Sequence, residues 1–236
     1  MRILLIGHGK MGKAIEHYAI QRGHTIAATV DLNDSLMPVI AKQADVAIEF
    51  THPEAAFGNI KFCLENNIPV LSGTTGWLDK MPEIKEICKA HNGTFLYTSN
   101  FSLGVNLFFK LNKELATLLN RQKNYTPSIT EVHHTEKKDA PSGTAITLAE
   151  GLTEHYNKID GWKLGKTQKE NEVPIFAERI GEVPGTHKVS FRSDVDMISI
   201  EHEAFSRDGF VEGAVLVAEW LPSQKGIKKI EDFLAL

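Results

Sequence analysis

Thirteen consecutive residues, HHTEKKDAPSGTA at 133–145, place two adjacent histidines and two lysines ahead of a Pro-Ser-Gly-Thr turn. A surface loop rarely needs so many titratable groups. Histidine titrates at about 6.5, which suits a group that gives or takes a proton near working pH. A lysine can supply a second proton or stabilise developing negative charge. The segment therefore predicts proton transfer to a small, negatively charged substrate.

The turn after the lysines predicts where such a substrate binds. Residues 139–144 lead into a helix predicted over 142–156, with Ser142 as its N-cap. The first N–H groups of a helix lack partners within it, and together with the Thr144 hydroxyl they suit a carboxylate. A cationic segment beside a helix start describes a pocket for a small acid such as a dicarboxylate. A solvated polar loop is the simpler alternative.

The two histidines are expected to have different roles. They end a strand predicted at 128–134, so the side chains of His133 and His134 start toward opposite sides. That divergence argues against a metal pair, and no metal is expected.

A turn near the N-terminus predicts nucleotide binding. Its residues fit G-x-G-x-x-G and are Gly7, His8, Gly9, Lys10, Met11 and Gly12. The turn follows a predicted strand and opens a helix, and Asp31 closes the next strand, as the dinucleotide fingerprint requires. A purely structural turn is the alternative. Asp31 favours NADH because its carboxylate repels a 2′-phosphate, although Lys10 and Lys13 could offset that phosphate, so NADPH is expected to be used as well.

Two further loops follow predicted strands at the edge of the sheet where ligands bind in open α/β folds. Their small hydroxyl and amide side chains suit a nicotinamide ribose and carboxamide, although ordinary turns contain the same residues. The loop residues are Gly73, Thr74, Thr75, Ser99, Asn100, Phe101 and Ser102.

The elements that must position these residues begin with five short apolar runs separated by helical patterns. The runs lie at 2–7, 24–31, 45–51, 68–73 and 94–100. Strands that are apolar on both faces and separated by helices indicate parallel βαβ units. Residues 1–100 therefore predict a doubly wound parallel sheet of the Rossmann type.

The pattern changes after residue 104. A long amphipathic helix is predicted over 105–121 and a polar stretch over 157–172. Apolar and polar residues alternate over 175–205, which is typical of an antiparallel sheet with one covered face. Helical spacing returns over 213–221 and 227–236. The second part of the chain is thus expected to be α+β, with a mostly antiparallel open sheet.

Composition excludes several functions. The chain has 236 residues and a formal net charge of −4, so it offers no basic field for nucleic acid or an anionic membrane. Its N-terminal apolar run is too short for a signal peptide, and no stretch reaches membrane-spanning length. Cys63 and Cys88 stand apart in predicted helices and are expected to be reduced thiols of a cytoplasmic protein.

The motif E-x-H-H-x-x-K-x-D-A-P-S-G-T-A, present from Glu131 to Ala145, resembles the hallmark of the 4-hydroxy-tetrahydrodipicolinate reductase (dihydrodipicolinate reductase) family of lysine and diaminopimelate biosynthesis. The resemblance extends over essentially the whole chain, through FTHPE (50–54), SGTTGW (72–77), SNFSLGVN (99–106) and RIGEVPGTH (179–187). It implies reduction of hydroxy-tetrahydrodipicolinate to tetrahydrodipicolinate by NAD(P)H, with loss of water. It also implies a homotetramer assembled through the sheets of the substrate domain.

The resemblance assigns roles to residues of the opening segment. His133 would be the proton donor and acceptor, and Lys137, rather than Lys138, the catalytic lysine. Three residues would bind substrate: His134, Gly143 and Thr144. The implied organisation is a dinucleotide-binding domain at 1–103, a substrate-binding and oligomerisation domain at 104–206, and a return of 207–236 to the first domain.

Two departures from the family pattern lie near the adenosine end. The first turn is one residue shorter than usual and has Lys10 where arginine is common, and a short connection at 32–44 replaces a longer helical insertion. The residues also leave two other functions open. One is a regulatory module that binds NAD(H) without turnover, which would leave the histidine–lysine segment unexplained. The other is a related Rossmann dehydrogenase that acts on another small acid.

Overall fold

A computed structural model describes residues 1–31, 34, 44–122, 124–206 and 208–235, and their contacts divide the chain into two units. The first unit combines Met1–Leu103 with Asp208–Leu236, and the second is Gly104–Arg207. Among the described residues, no helix is long and apolar enough to cross a membrane. Most of the short connection at 32–44 lies outside the described residues.

Eleven strands and seven α-helices make up the described part of the chain. The strands are β1 (Arg2–Ile6), β2 (Thr25–Val30), β3 (Val46–Glu49), β4 (Val70–Ser72), β5 (Thr94–Tyr97), β6 (Thr126–His133), β7 (Gly161–Leu164), β8 (Glu172–Arg179), β9 (Gly185–Arg192), β10 (Met197–Ala204) and β11 (Gly226–Lys228). The helices are α1 (Lys10–Gln21), α2 (Pro53–Glu65), α3 (Met81–Ala90), α4 (Leu103–Leu119), α5 (Gly143–His155), α6 (Asp208–Trp220) and α7 (Ile230–Leu234).

The first unit is a doubly wound parallel sheet, as predicted. Its strand order is β11-β5-β4-β3-β1-β2, and every pairing is parallel. Successive residues of β1 point to opposite faces. Ile3 and Leu5 therefore pack with α1 and α6, whereas Leu4 and Ile6 pack with α2 and α3. Both faces of the sheet are covered, which explains the continuous apolar runs.

The five strands predicted in the first hundred residues are all present, and each is shorter than its apolar run. The residues lost from their carboxyl ends, such as Thr51 and Gly73, form loops at that edge of the sheet. The sixth strand, β11, lies where helical spacing was predicted over 227–236, so that part of the prediction was wrong. Its residues are Gly, Ile and Lys, so it lacks the buried apolar run that identified β4, which is equally short.

The second unit is an α+β region with a mixed sheet in the order β10-β9-β6-β8-β7. Strand β9 pairs antiparallel with both β6 and β10, as the alternation over 175–205 predicted. Strand β8 instead runs parallel to β6. Between these two strands the chain passes through α5 and β7. Strand β7 lies inside the stretch predicted to be polar, and it pairs parallel with β8.

Helices α4 and α5 cover one face of this sheet. Phe108 of α4 and Leu148 of α5 pack with Ile129 of β6 in one buried cluster. Side chains two residues apart on a strand share a face, so Glu131 and His133 lie on the same covered face as Ile129. The strand thus carries two ionisable groups into a buried, helix-covered environment.

Candidate active site

The glycine turn at the start of α1 requires glycine at two positions. Gly7 has a φ of 97°, and a Cβ at this residue would lie 1.9 Å from the carbonyl oxygen of Phe50. A Cβ at Gly12 would lie 2.0 Å from the carbonyl oxygen of Gly7. The backbone therefore packs too closely for any side chain at either position. Helix α1 begins at Lys10 without a side-chain cap, which leaves its N-terminus available to an anion.

Two cavities open at the carboxyl edge of the parallel sheet. One, of about 340 Å³, is lined by Gly7, Gly9, Asp31 and Asp34, among others. The other, of about 380 Å³, is lined by residues of the glycine turn and of the loop after β4: Gly9, Lys10, Met11, Gly12, Gly73, Thr74 and Thr75. Phe50 and Thr51 line both cavities. The structure thus brings the glycine turn, Asp31 and the loop after β4 to the same edge of the sheet.

A buried carboxylate holds two of these loops in place. Glu49, at the end of β3, is fully buried and accepts hydrogen bonds from the hydroxyls of Ser72 at 2.5 Å and Thr74 at 3.0 Å. Thr51 bonds it through both its amide and its hydroxyl. A buried charge is stable only when such donors surround it, so Glu49 fixes the loops after β3 and β4. No role was predicted for Glu49, although a glutamate in an otherwise apolar strand is a signal visible in the sequence.

The remaining predicted cofactor residues lie elsewhere. Neither cavity is lined by His8, whose Nε2 lies 2.7 Å from Glu16, or by the loop after β5. In that loop, Phe101 is buried in the core against Phe50, and the side chain of Asn100 accepts a hydrogen bond from the amide of Ser102. Ser99 precedes them at the carboxyl end of β5. These residues order the loop after β5.

In the second unit, a buried carboxylate organises the histidine–lysine segment at 133–145. Glu131 is fully buried, and its Oε1 lies 3.2 Å from the guanidinium of Arg179. It also accepts the amide of Ser142 at 3.1 and 3.2 Å. Burial alone would raise the pKa of Glu131, but the bonds with His133, His187 and Ser142 outweigh it and hold that pKa well below its ordinary range.

Two imidazoles share the other oxygen of this carboxylate. The Nε2 atoms of His133 and His187 each lie 3.6 Å from Oε2 of Glu131 and 3.3 Å from each other. The rings meet edge to face, with centroids 5.0 Å apart. Burial lowers the pKa of His187, and this effect outweighs the bond with Glu131, which acts to raise that pKa. The ligand atoms of these three residues all lie within 4.8 Å of one another, a spacing that would also suit a metal ion.

The two lysines of the segment differ in their surroundings. Lys138 is exposed, whereas the ammonium of Lys137 is half-buried and lies 2.7 and 2.8 Å from the carboxylate of Asp139. That ammonium lowers the pKa of Asp139, whose side chain is 61% exposed. Arg179 donates to the carbonyl oxygens of Lys137 and Asp139. The lysine turn is therefore tied to the carboxylate of Glu131 through one guanidinium.

The N-terminus of α5 completes this region. Ser142 is the N-cap, as predicted, and its hydroxyl accepts the amide of Ala145 at 3.2 Å. Gly143 is exposed, with open space where a Cβ would lie, and Thr144 is half-buried. His134 is less buried than His133, in keeping with the expected divergence of the two side chains.

Arg179 and His187 complete the site, and no role was predicted for either residue. Both come from strands that follow the motif by about fifty residues, at the two ends of the stretch RIGEVPGTH. His187 pairs directly across from Glu131 in the β6–β9 register. The alternation of β9 places His187 on the covered face with Val189 and Phe191, and a histidine in that phase was the available signal.

Comparisons with known proteins agree over the whole chain. The models of the N-terminal and C-terminal domains of dihydrodipicolinate reductase match residues 1–101 and 104–234. A protein named 4-hydroxy-tetrahydrodipicolinate reductase, from Christiangramia forsetii, is 46% identical over 235 residues, covering 100% of this chain and 98% of that protein. One of the same name from Aquifex aeolicus is 41% identical over 198 residues, covering 81% and 74%.

A solved structure shows the same fold. The dipicolinate-bound dihydrodipicolinate reductase from Paenisporosarcina sp. TG-14 has a TM-score of 0.81 over 97% of both chains, at 21% identity. The two family models together span nearly all of the present sequence. The chain therefore belongs to the dihydrodipicolinate reductase family, the 4-hydroxy-tetrahydrodipicolinate reductases, which are NAD(P)-dependent oxidoreductases of lysine and diaminopimelate biosynthesis.

Proposed function

We propose that this chain reduces 4-hydroxy-tetrahydrodipicolinate to tetrahydrodipicolinate, taking up one hydride and one proton and releasing one water. The observation that carries the residue assignments is the cluster around Glu131. One buried carboxylate bonds the N-cap of α5 and the arginine that holds the lysine turn, and it lies beside His133. The N-cap of α5, the lysine turn and His133 are thereby held around Glu131. These three segments could bind the substrate carboxylates and give the proton.

The residues of the first unit fit a pyridine dinucleotide. Helix α1 starts without a side-chain cap, and the lack of side chains at Gly7 and Gly12 would let a pyrophosphate approach its first N–H groups. Gly9, Lys10, Met11, Gly73, Thr74 and Thr75 line the adjoining cavity and would hold the rest of the cofactor. When bound, NAD(P)H supplies the hydride. We retain His8, Ser99, Asn100, Phe101 and Ser102 as proposed contacts or supports of that site.

Two carboxylates favour NADH. Asp31 and Asp34 both line the 340 Å³ cavity, and the amide of Asp31 donates to the carboxylate of Asp34 at 2.8 Å. A ribose hydroxyl can donate to such carboxylates, whereas a 2′-phosphate would be repelled by both. We propose NADH as the preferred cofactor, with NADPH also accepted because Lys10 and Lys13 lie on the first turn of α1.

His133 is proposed to give the proton. Its ring is held by Glu131 at the end of β6, and a positioned imidazole is a suitable acid near neutral pH. Lys137 is proposed to stabilise the negative charge that develops on the substrate. Its ion pair with the exposed Asp139 keeps the ammonium in place, and a substrate carboxylate could replace that partner. His134, Gly143 and Thr144 are proposed to bind the substrate carboxylates, with the first N–H groups of α5 as further donors.

We also propose that the protein works in the cytoplasm as a homo-oligomer, a tetramer by family resemblance. The sheet of the second unit supports this, because α4 and α5 pack on only one of its faces. The opposite face carries partly exposed side chains such as Val132, Phe176 and Met197. A small molecule is the expected partner, rather than nucleic acid or a membrane.

A coupled assay tests the proposed activity and roles. The substrate is generated in situ by the synthase that precedes this step, and NADH absorbance is followed. Replacing Lys137 or His133 by alanine is expected to lower kcat by about 10²–10⁴-fold with little change in cofactor affinity. Lys138→Ala is the matched control, since Lys138 is exposed beside Lys137. The kcat of this variant should be close to that of the wild type. If wild-type protein oxidises no NADH at any pH, the activity is refuted; if Lys138→Ala is as impaired as Lys137→Ala, the role of Lys137 is refuted.

A further inference from the structure

His187 is buried beside the proposed proton donor, yet nothing in the proposed reaction uses it. Strand β9 places it directly opposite Glu131 on β6 and opposite His202 on β10. Its Nε2 lies 3.3 Å from Nε2 of His133 and 3.1 Å from the hydroxyl oxygen of Ser142. A surface histidine would have water at these positions. Here, the ring nitrogen instead lies beside His133, which is close to Glu131, and beside Ser142, which is the N-cap of α5.

The contact between the two Nε2 atoms restricts the protons they can carry. At 3.3 Å, one N–H can point at the other nitrogen, but two cannot point at each other. The tautomer of one ring therefore restricts which nitrogen of the other ring can carry a proton. The edge-to-face packing of the rings, at an interplanar angle of 70°, also restricts how the ring of His133 can turn. Orientation and proton placement at His133 both depend on His187.

The other charged groups near this pair come from every surrounding element. Glu131 lies on β6, Arg179 on β8, Lys137 on the turn before α5 and His202 on β10. The Oε1 of Glu131 faces Arg179, and its Oε2 faces the two imidazoles at equal distances of 3.6 Å. Without His187, that oxygen would keep His133 and the amide of Ser142 as neighbours and would no longer be shared between two imidazoles.

We infer that His187 is a positioning residue for His133: it fixes the orientation of the His133 ring and divides the Glu131 carboxylate between the two imidazoles. The inference rests on the proposed role of His133 as the proton donor. It concerns a residue of β9 that acts through His133 in this proposal. Its function is to keep the proton of His133 available for transfer.

The test compares His187→Gln with the wild type in the coupled assay over a range of pH. Glutamine keeps a polar group near the position of Nε2 but cannot titrate. We expect kcat to fall about tenfold with cofactor KM unchanged. The pH profile of kcat should move upward relative to the wild type, because Glu131 then lies beside one imidazole instead of two. His187→Phe, which keeps a ring without nitrogens, takes the place of His187→Gln if the latter does not fold, as judged by thermal unfolding.

A matched control and a double variant separate the possible outcomes. His24 of the first unit is also a partly buried histidine, 2.7 Å from Glu219, and His24→Gln should leave the pH profile in place. In a His133→Gln background, the His187 replacement should have little further effect on kcat, because its partner is gone.

Three results would overturn the inference. The first is a folded His187 variant with an unchanged pH profile. The second is a full, additive loss of activity from the His187 replacement in the His133→Gln background. The third is activity that a chelator abolishes and Zn²⁺ restores, which would make Glu131, His133 and His187 a metal site. Near-native turnover of His133→Gln alone would instead refute the proposed role of His133.

Discussion

Replacing Glu131 by glutamine tests whether its carboxylate holds the second unit together. Glutamine nearly matches glutamate in shape, so the change removes the charge and leaves the packing. Arg179 then loses its counter-charge at 3.2 Å, and both imidazoles lose an acceptor. Removing one partner of a buried ion pair costs about 3–5 kcal/mol. The side chain of Arg179 is 20% exposed and keeps its bonds to backbone carbonyls, and the amide oxygen of glutamine can still accept from Ser142, so we expect about 2–3 kcal/mol.

Thermal unfolding at neutral pH measures this loss. For a chain of this size, a change of 1 kcal/mol moves Tm by about 2–4 °C, so Glu131→Gln should lower Tm by about 4–12 °C. Glu201→Gln on β10 is the matched control in the same sheet. Glu201 pairs with Lys188 at 3.3 Å, but the side chains are 47% and 39% exposed, so its loss should cost less than about 1 kcal/mol. Equal shifts in Tm for the two variants would refute the reasoning.

The pH dependence gives an independent check with a definite sign. The pKa of Glu131 is depressed in the folded protein, so its contribution to stability is complete above the ordinary glutamate value of about 4.3. That contribution is lost progressively as the pH falls below this value toward the folded pKa. The difference in free energy of unfolding between wild type and Glu131→Gln should therefore narrow as the pH falls below about 4.3. A constant difference would show that the carboxylate titrates normally in the fold.

Two further predictions concern the first unit. Gly12→Ala places a Cβ 2.0 Å from the carbonyl oxygen of Gly7, so the start of α1 must shift, and we expect NADH affinity, measured by fluorescence titration, to fall at least about tenfold. Gly58→Ala, in α2 with open space around its Cβ, is the control. It should leave NADH affinity unchanged and stabilise the protein by about 0.5–1 kcal/mol. Equal NADH affinity in the two variants would contradict the prediction. Asp31→Ala and Asp34→Ala should each raise the ratio of NADPH to NADH activity, because each removes a carboxylate from the 340 Å³ cavity. An unchanged ratio in initial-rate measurements would refute the proposed ribose contacts.

The parallel sheet was predictable because its signals are local. Each βαβ unit shows its strand as an apolar run and its helix as a period of 3.6 residues within about thirty residues of sequence. The glycine turn, Asp31 and Thr74 follow such strands, so their common edge could be inferred from topology alone. Strands β7 and β11 were not predicted, because they contain no buried residue and do not form an apolar run like those of the equally short β3, β4 and β5.

The second unit shows where sequence reasoning stops. The motif at 133–145 and the cap at Ser142 lie within one strand, turn and helix, and they were identified from spacing. Arg179 and His187 reach Glu131 only through the pairing of β8 and β9 with β6. Pairing partners are not encoded in any local pattern, and the parallel course of β8 could not be distinguished from an antiparallel one by alternation. The partners of the motif therefore required the fold.

In both units, a buried carboxylate near the end of a strand fixes neighbouring segments of the chain. Glu49 stands at the end of β3 and Glu131 near the end of β6, and both carboxylates are fully buried. A buried carboxylate adds little net stability, since its desolvation offsets much of what its bonds contribute. It does, however, require donors at fixed positions, and here those donors come from segments that are proposed to bind ligands or that support them: Thr51 and Thr74 in one unit, Ser142 and Arg179 in the other. An apolar residue in place of Glu49 or Glu131 could fill the same space but would not fix the neighbouring segments. We therefore infer that the two carboxylates hold these segments in position.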